Sequence, residues 1–304
     1  MMMNTQNFRD EQEKMIILQE TYHLENGVQI PKLGLGTWFI DDDKAAKAVR
    51  DAVKVGYRLI DTAQAYGNER GVGESVRTCG LPREELFVTS KVAAEVKTYE
   101  EAARSIDETL TKMGLDYLDL MIIHSPQPWA EFRVENRYFA ENKEVWRALE
   151  DAYAAGKLRA IGVSNFLQDD LENLLDDCRI KPMVNQILLH ITNTDKALLD
   201  YCRAQGILVE AYSPIAHGEA LKNPAITKMV EKYNVTSAQL CIRYVLQLGT
   251  VALPKTANPA HMQDNSAVNF QISTEDMRTL EAMEKIKSYG EFDMFPVFSG
   301  KPLN

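Results

Sequence analysis

Basic residues, paired cysteines and long apolar runs are all scarce in this sequence of 304 residues. Asp and Glu outnumber Lys and Arg by 44 to 34, and the resulting net charge of -10 repels phosphate backbones and anionic membranes. No stretch approaches the roughly 20 consecutive apolar residues that cross a bilayer. We therefore expect neither a nucleic acid nor a membrane as a partner.

The four cysteines are scattered and show no CxxC spacing. A disulfide scaffold or a zinc site is therefore not expected, and no metal is assigned to this chain. The opening segment MMMNTQNFRDEQEK is polar and charged, whereas an export signal has a basic segment followed by an apolar run. From these features we predict a cytoplasmic protein in which residues 1–19 form a polar N-terminal extension.

A glycine-rich dinucleotide fingerprint is missing as well. The segments GLGTWF from Gly34 and GVGESV from Gly71 lack the third small residue, and neither has the required strand-turn-helix context. A nucleotide bound by this chain would therefore not be held by a Rossmann domain.

Short apolar runs alternate with amphipathic segments from Leu33 onward, which is typical of βα units and a parallel sheet. Eight units of about 30 residues without a flexible linker favour an α/β fold of the (β/α)8 TIM barrel type. We predict one barrel domain over residues 20–304, with an N-terminal β-hairpin at Asn26-Gly27, where a type I′ turn is expected, and a C-terminal loop at the barrel mouth. The predicted strands are LGLGTW (33–38), YRLIDT (57–62), LFVTSK (86–91), YLDLMIIH (117–124), LRAIGVS (158–164), MVNQI (183–187), ILVEAYS (207–213) and TVALPK (250–255).

Polar side chains end nearly all of these strands, at the end where barrel enzymes carry their chemistry. Solvated strand ends favour Gly, Asp, Asn and Ser, whereas here Lys, His, Gln, Trp and Tyr directly follow apolar runs. The set therefore predicts an active site at the barrel mouth. Its members are Thr37, Trp38, Asp61, Thr62, Lys91, His124, Ser164, Asn165, Gln186, Tyr212, Ser213, Lys255 and Thr256.

Asp61 and Lys91 are expected to pair at this mouth, because a partly buried Lys needs a partner. Tyr66, in the loop after the second strand, reaches the same place. The ammonium is expected to lower the phenol pKa and to make Tyr66 a general acid. His124 would orient or polarise a carbonyl group beside Tyr66. An alternative makes Lys91 a Schiff-base nucleophile, but an adjacent carboxylate raises the pKa of a lysine and argues against a free amine.

Three segments resemble the signatures of one family, the aldo-keto reductases. They are GYRLIDTAQAYGNERGVG (56–73), LRAIGVSNF (158–166) and LPKT (253–256), and the resemblance runs from about Leu24 to Asn269. It implies a bacterial-type enzyme that reduces aldehydes or ketones with NAD(P)H. The catalytic tetrad of the family then carries over as Asp61, Tyr66, Lys91 and His124.

The same resemblance implies where the cofactor lies. Ser164, Asn165 and Gln186 would hold the nicotinamide carboxamide, and Tyr212 would stack on its ring. Further cofactor contacts are expected from Thr37, Trp38, Ser213, Ile215, Lys255, Thr256, Asp264 and Asn265.

Two positions depart from the family pattern. Ser125 stands where a large aromatic residue often follows the catalytic His, so the substrate pocket is expected to be roomier or more polar there. His261 stands where an Arg usually faces the 2′-phosphate of NADP. A neutral imidazole offers one donor, whereas Arg offers a permanent charge and a planar fork. We therefore expect the enzyme to use NADPH, but to discriminate against NADH less strongly than family members that carry Arg at this position.

The pocket wall is predicted from Trp38 and from the aromatic segment PQPWAEFRVENRYF after the fourth strand, with Trp129 ahead of Phe132 and Tyr138. Three aromatic residues near the C-terminus are further candidates for closing the mouth: Phe292, Phe295 and Phe298.

Three other histidines are expected to have structural roles only. They are His23, His190 and His217.

The sequence thus predicts an oxidoreductase that turns a small-molecule carbonyl into an alcohol. The expected assembly is a monomer or a weak homo-oligomer. A nucleotide-binding regulatory barrel with little turnover remains the alternative, and the complete tetrad argues against it.

Overall fold

The structure is a computed structural model that describes residues 16–301. Most of the predicted polar extension, residues 1–15, lies outside the described residues. Its last residues form a short 3₁₀ turn, Ile16–Gln19, in which Ile17 and Leu18 are buried in the main hydrophobic core. Packed structure therefore begins a few residues before position 20.

An antiparallel hairpin follows, as predicted, with strands β1 (Thr21–His23) and β2 (Gln29–Pro31). Its turn differs from the prediction. The amide of Leu24 donates to the carbonyl of Val28 at 2.9 Å and closes a loop of three residues, 25–27. The amide of Gly27 donates to the carbonyl of Leu24 at 2.8 Å, and Gly27 has a positive φ of 83° while Asn26 does not. A type I′ turn needs positive φ at both central residues, so the predicted turn type is wrong.

Eight parallel strands form the centre of the fold and confirm the predicted barrel. Each strand pairs in parallel with the next one along the chain. The barrel closes because the amide of Gly36 donates to the carbonyl of Pro254 at 3.0 Å and the amide of Ala252 to that of Lys32 at 2.9 Å. The strands are β3 (Gly34–Gly36), β4 (Leu59–Asp61), β5 (Phe87–Val92), β6 (Leu120–Ile123), β7 (Ile161–Ser164), β8 (Val184–Leu188), β9 (Leu208–Tyr212) and β10 (Val251–Leu253).

Helices surround this barrel, and the amphipathic ones bury an apolar face against it. The amphipathic segments between the predicted strands form helices, and among the further helices Ser237–Gln247 begins with a capping box between Thr236 and Gln239. The helices are α1 (Asp42–Val55), α2 (Glu69–Thr78), α3 (Tyr99–Met113), α4 (Phe139–Ala154), α5 (Gln168–Leu175), α6 (Lys196–Ala204), α7 (Pro224–Tyr233), α8 (Ser237–Gln247), α9 (Pro259–Ser266), α10 (Thr274–Glu281) and α11 (Pro296–Ser299).

The glycines of the segment GVGESV serve helix packing. A Cβ on Gly71 would lie 2.2 Å from the carbonyl oxygen of Asp42 on α1, and a Cβ on Gly73 would lie 2.2 Å from that of Met113 on α3. These distances are far below van der Waals contact. The two glycines therefore let α2 pack closely between α1 and α3, and this explains a glycine pattern that is not a nucleotide fingerprint.

The barrel interior changes from apolar to polar along the strand direction. At the amino end, the hairpin residues Leu24 and Ile30 pack with Leu59 and Phe87 in one apolar cluster. Side chains two residues apart on a strand share a face, so Asp61 lies on the same side of β4 as Leu59, one level higher. The polar side chains are thereby gathered at the carboxyl end of the barrel.

Candidate active site

Lys91 lies at the centre of this polar level, where β5 carries it fully buried. Its Nζ donates to Oδ1 of Asp61 at 2.6 Å, to the carbonyl of Thr62 at 2.8 Å and to the hydroxyl oxygen of Tyr66 at 3.3 Å. The three side chains that the sequence analysis brought together are therefore within hydrogen-bond reach. Because the phenol oxygen accepts from Lys91, the phenol proton is free to point elsewhere.

The charge of Lys91 is set by its neighbours. Burial lowers the pKa of a lysine, but the Asp61 carboxylate and Tyr66 together outweigh burial, so the pKa of Lys91 lies above its usual value. Lys91 is therefore an ammonium ion near neutral pH. A Schiff-base nucleophile needs a free amine, and this site does not provide one.

Tyr66 is held by a short 3₁₀ turn, Gln64–Tyr66, directly after β4. Gly67 ends the turn with a φ of 69°, and the Gln64 side chain accepts from the amide of Ala93 at 2.9 Å. Burial raises the pKa of Tyr66, and the opposing charge of Lys91 does not outweigh burial. The predicted lowering of this pKa is therefore wrong: the phenol is protonated near pH 7.

His124 follows β6 and lies beside Tyr66, with 5.6 Å between the two ring centroids. Burial, and then the charge of Lys91, hold the pKa of His124 well below its usual value. The imidazole is therefore neutral near pH 7 and carries one N–H. Its Nδ1 is buried and has no hydrogen-bond partner among the described residues. The ring also lines the cavity at the barrel mouth, so a polar group of a bound molecule could pair with it from that side.

Amide and hydroxyl groups at the ends of β7, β8 and β9 form a second cluster. Asn165 donates to the carbonyl of His124 at 3.0 Å and accepts from the hydroxyl of Tyr212 at 2.7 Å. Ser164 donates to the carbonyl of Gln186 at 2.8 Å. Asn165 has a positive φ of 62°, a conformation that Asn tolerates better than most residues. These contacts fix the four residues for which nicotinamide contacts are predicted.

Both clusters border one cavity of about 510 Å³ at the barrel mouth. The predicted site residues that do not line this cavity are Thr62, Lys91, Ser125, Thr256, His261, Asp264 and Asn265. Lys91 lies beneath its floor, Ser125 is fully buried, and His261 is exposed on α9. The predicted residues that line the cavity are Thr37, Trp38, Asp61, Tyr66, His124, Trp129, Ser164, Asn165, Gln186, Tyr212, Ser213, Ile215 and Lys255.

Aromatic side chains build the outer wall of the cavity. The Trp129 ring lies 5.2 Å from that of His124 and is backed by the buried Phe132. Opposite, Trp38 lies 5.0 Å from Phe295 of the C-terminal segment. Tyr138 does not reach the cavity, since its hydroxyl donates to Glu131 at 2.8 Å.

The C-terminal segment closes over the mouth from the side of β9. Phe292 and Phe295 line the cavity, whereas Phe298 packs behind them. Phe292 stacks on His217 with 3.9 Å between ring centroids. His217 thus belongs to the cavity wall, although the sequence analysis expected only a structural role. His190 fits that expectation, because it is buried against the hydroxyl of Tyr289 at 2.8 Å.

Glu210 is a buried acid at this level that is not among the predicted site residues. Glu210 lies in the middle of β9, is fully buried and accepts from the Gln186 side chain at 2.9 Å. A sequence signal existed, because an acid two residues before Tyr212 in the apolar run ILVEAYS is on the same face of the strand.

The described residues contain no group of His, Cys, Asp and Glu side chains arranged to hold a metal ion. In the same part of the chain, residues 16–301, no helix is long and apolar enough to cross a bilayer. A cavity of about 580 Å³ at the opposite end of the barrel has its buried carboxylate, Asp119, tied to Arg83 and Arg159 at 2.7 Å each. The mouth is therefore the better candidate for chemistry.

A parallel barrel with ionisable groups converging at its carboxyl end defines a barrel-type active site. The sequence model of the aldo/keto reductase family matches residues 32–285, and the chain belongs to this family. It is 43% identical to glyoxal reductase of Bacillus subtilis over 275 residues, which cover 90% of this chain and 96% of that protein. It is 38% identical to morphine 6-dehydrogenase of Pseudomonas putida, covering 86% and 90% of the two chains.

Solved structures agree with this assignment. An aldo/keto reductase from Brucella melitensis superposes with a TM-score of 0.80 at 35% identity, covering 86% of this chain and 97% of that one. An aldo-keto reductase from Bombyx mori, solved in complex with NADP, superposes with a TM-score of 0.80 at 29% identity, covering 93% and 98%. The chain is thus an oxidoreductase of carbonyl or alcohol groups that uses a nicotinamide cofactor.

Proposed function

We propose that this protein reduces aldehydes or ketones to alcohols with NADPH and that Tyr66 supplies the proton. The observation that carries the proposal is the position of Lys91, whose ammonium contacts both Asp61 and the phenol oxygen of Tyr66. A neutral phenol has a proton to give, and the ammonium stabilises the phenolate that forms as the proton leaves. Asp61 keeps Lys91 charged.

Hydrogen-bonding groups at the mouth fit a nicotinamide nucleotide. The amide groups of Asn165 and Gln186 and the hydroxyl of Ser164 match a carboxamide, which is both donor and acceptor. Tyr212 offers a flat ring beside them. Lys255 and the amino end of α9, which starts at Pro259, suit anionic groups. When bound, the cofactor supplies the hydride that goes to the carbonyl carbon.

The remaining residues of the site would act on the substrate. The neutral imidazole of His124 can donate its one N–H to the carbonyl oxygen and so orient the substrate next to Tyr66. Trp38 and Trp129 would enclose the rest of the substrate and exclude water, which strengthens the electrostatic contacts at the reacting centre. The relatives named glyoxal reductase and morphine 6-dehydrogenase support a carbonyl or alcohol substrate without fixing its size.

A substrate screen tests this proposal. The purified protein is incubated with aldehydes, ketones and sugar acids, each with NADPH and with NADH, and nicotinamide absorbance is followed. We expect turnover of several aldehydes, with NADPH preferred. If NADPH bound but no carbonyl substrate was turned over, the protein would be a nucleotide-binding barrel and the proposal would be wrong.

A further inference from the structure

Glu210 is a buried acid that the proposed reaction does not yet use. It lies on β9, fully inside the barrel, two residues before Tyr212. Its cross-strand neighbours are Gln186 on β8 and Val251 on β10, and neither is charged. A buried carboxyl group costs more free energy than an apolar side chain of similar size unless it makes a specific contact.

That contact is with the amide group of Gln186. Nε2 of Gln186 donates to Oδ2 of Asp61 at 2.8 Å and to Oε2 of Glu210 at 2.9 Å. The other oxygen of Asp61 accepts from Lys91. A line of hydrogen bonds therefore runs from Glu210 through Gln186 and Asp61 to Lys91, the residue that contacts Tyr66.

The two acceptors also determine which way the Gln186 amide faces. An amide has two N–H groups and one carbonyl oxygen. Both N–H groups are used on carboxyl groups, and this leaves Oε1 as the atom that can turn to the cavity, which Gln186 lines. With an apolar residue at position 210, one N–H would have no acceptor, and the amide could rotate away from Asp61.

We propose that Glu210 is a positioning residue that fixes the orientation of the Gln186 amide and thereby holds Asp61 in place on Lys91. This inference rests on the proposed function, because it concerns the residues assigned there to proton transfer and cofactor binding. Glu210 acts through Gln186 and does not itself line the cavity.

The protonation of Glu210 adds a pH dependence. Burial, and then the charge of Asp61, raise the pKa of Glu210 to about 8, while Gln186 and Lys91 oppose the shift. Asp61 and Lys91 are thus the charged groups that act on it. Below pH 8 the group is neutral. Above pH 8 it adds a second negative charge beside Asp61, which disfavours the phenolate that Tyr66 becomes when it gives up its proton. Loss of this proton should therefore slow carbonyl reduction.

Two substitutions separate these effects. Glu210→Gln keeps an oxygen that accepts from Gln186 and cannot ionise, whereas Glu210→Leu removes the acceptor. The control is Thr89→Val on β5. This substitution removes a buried hydroxyl group that has no hydrogen-bond partner among the described residues. All variants are compared in thermal unfolding, in NADPH binding by fluorescence quenching and in kcat and KM from pH 6 to pH 10.

We expect Glu210→Gln to keep the wild-type kcat at pH 7 and to shift the alkaline loss of kcat to higher pH. Glu210→Leu should lower kcat about tenfold and weaken NADPH binding, because a buried donor is left unpaired, while Thr89→Val should remain near wild type. Identical pH profiles for the wild type and Glu210→Gln would overturn the proposal, as would a Glu210→Leu variant as active as the control. A wild-type protein without carbonyl turnover would overturn the proposed function, and this inference with it. If Glu210→Leu does not fold, the Glu210→Gln profile decides.

Discussion

Removing one member of the ion pair between Asp61 and Lys91 should strongly lower the free energy of unfolding, whereas replacing both members by neutral groups should change it little. Both side chains are buried and their charged atoms are 2.6 Å apart. In Asp61→Asn the amide keeps the shape of the carboxylate, but the Lys91 ammonium stays buried without a counter-charge. Removal of one partner from a buried pair costs about 3–5 kcal/mol. For a chain of this length that loss lowers Tm by about 5–8 °C.

The double variant Asp61→Asn with Lys91→Met distinguishes stability from catalysis. Replacing both members of a buried pair by neutral groups is often close to neutral for stability. The double variant should therefore unfold within about 1 kcal/mol of the wild type. Its carbonyl reduction should nevertheless stay about 10²–10³-fold below the wild type, because the charge that stabilises the Tyr66 phenolate is gone.

Urea unfolding and NADPH-dependent aldehyde turnover are measured for the wild type, both single variants and the double variant. An Asp61→Asn variant that unfolds like the wild type, or a double variant no more stable than Asp61→Asn, would refute the predicted penalty of the unpaired charge. A double variant that regains activity together with stability would refute the predicted role of Lys91 in catalysis.

Two further predictions concern substrate and cofactor. Trp129→Ala should raise KM about tenfold for bulky aldehydes, because it removes apolar wall area next to His124, and should leave NADPH affinity unchanged; an unchanged KM for every accepted substrate would remove Trp129 from the wall. His261→Arg should raise the ratio of kcat/KM for NADPH over NADH about tenfold or more, because a charge-assisted bond to the 2′-phosphate is added. An unchanged ratio would show that His261 does not lie at the phosphate.

The barrel was predictable because its signals are repeated and local. Eight apolar runs end in polar side chains, and parallel strands bring all their carboxyl ends to one mouth. Asp61, Lys91 and His124 could therefore be grouped without any knowledge of distances. The hairpin turn was mispredicted because Asn-Gly permits a two-residue turn without requiring it, and the structure uses three loop residues instead.

Other features depend on contacts that no local pattern records. The pKa of Tyr66 was expected to fall beside Lys91, but burial has the larger effect, and burial depends on the complete fold. His217 lines the cavity wall, where Phe292, 75 positions later in the chain, stacks on it. The sequence places Glu210 on the same strand face as Tyr212, but its bond to Gln186 joins two different strands and is visible only in the structure.

The function of Tyr66 as proton donor is tested most directly by Tyr66→Phe, which removes only the hydroxyl. The measurement is kcat/KM for an aldehyde accepted by the wild type, together with the Kd for NADPH from fluorescence quenching. We expect kcat/KM to fall by about 10²–10⁴-fold, the usual contribution of general acid catalysis, while the Kd for NADPH stays at the wild-type value. A Tyr66→Phe variant that reduces the aldehyde at nearly the wild-type rate would contradict the account.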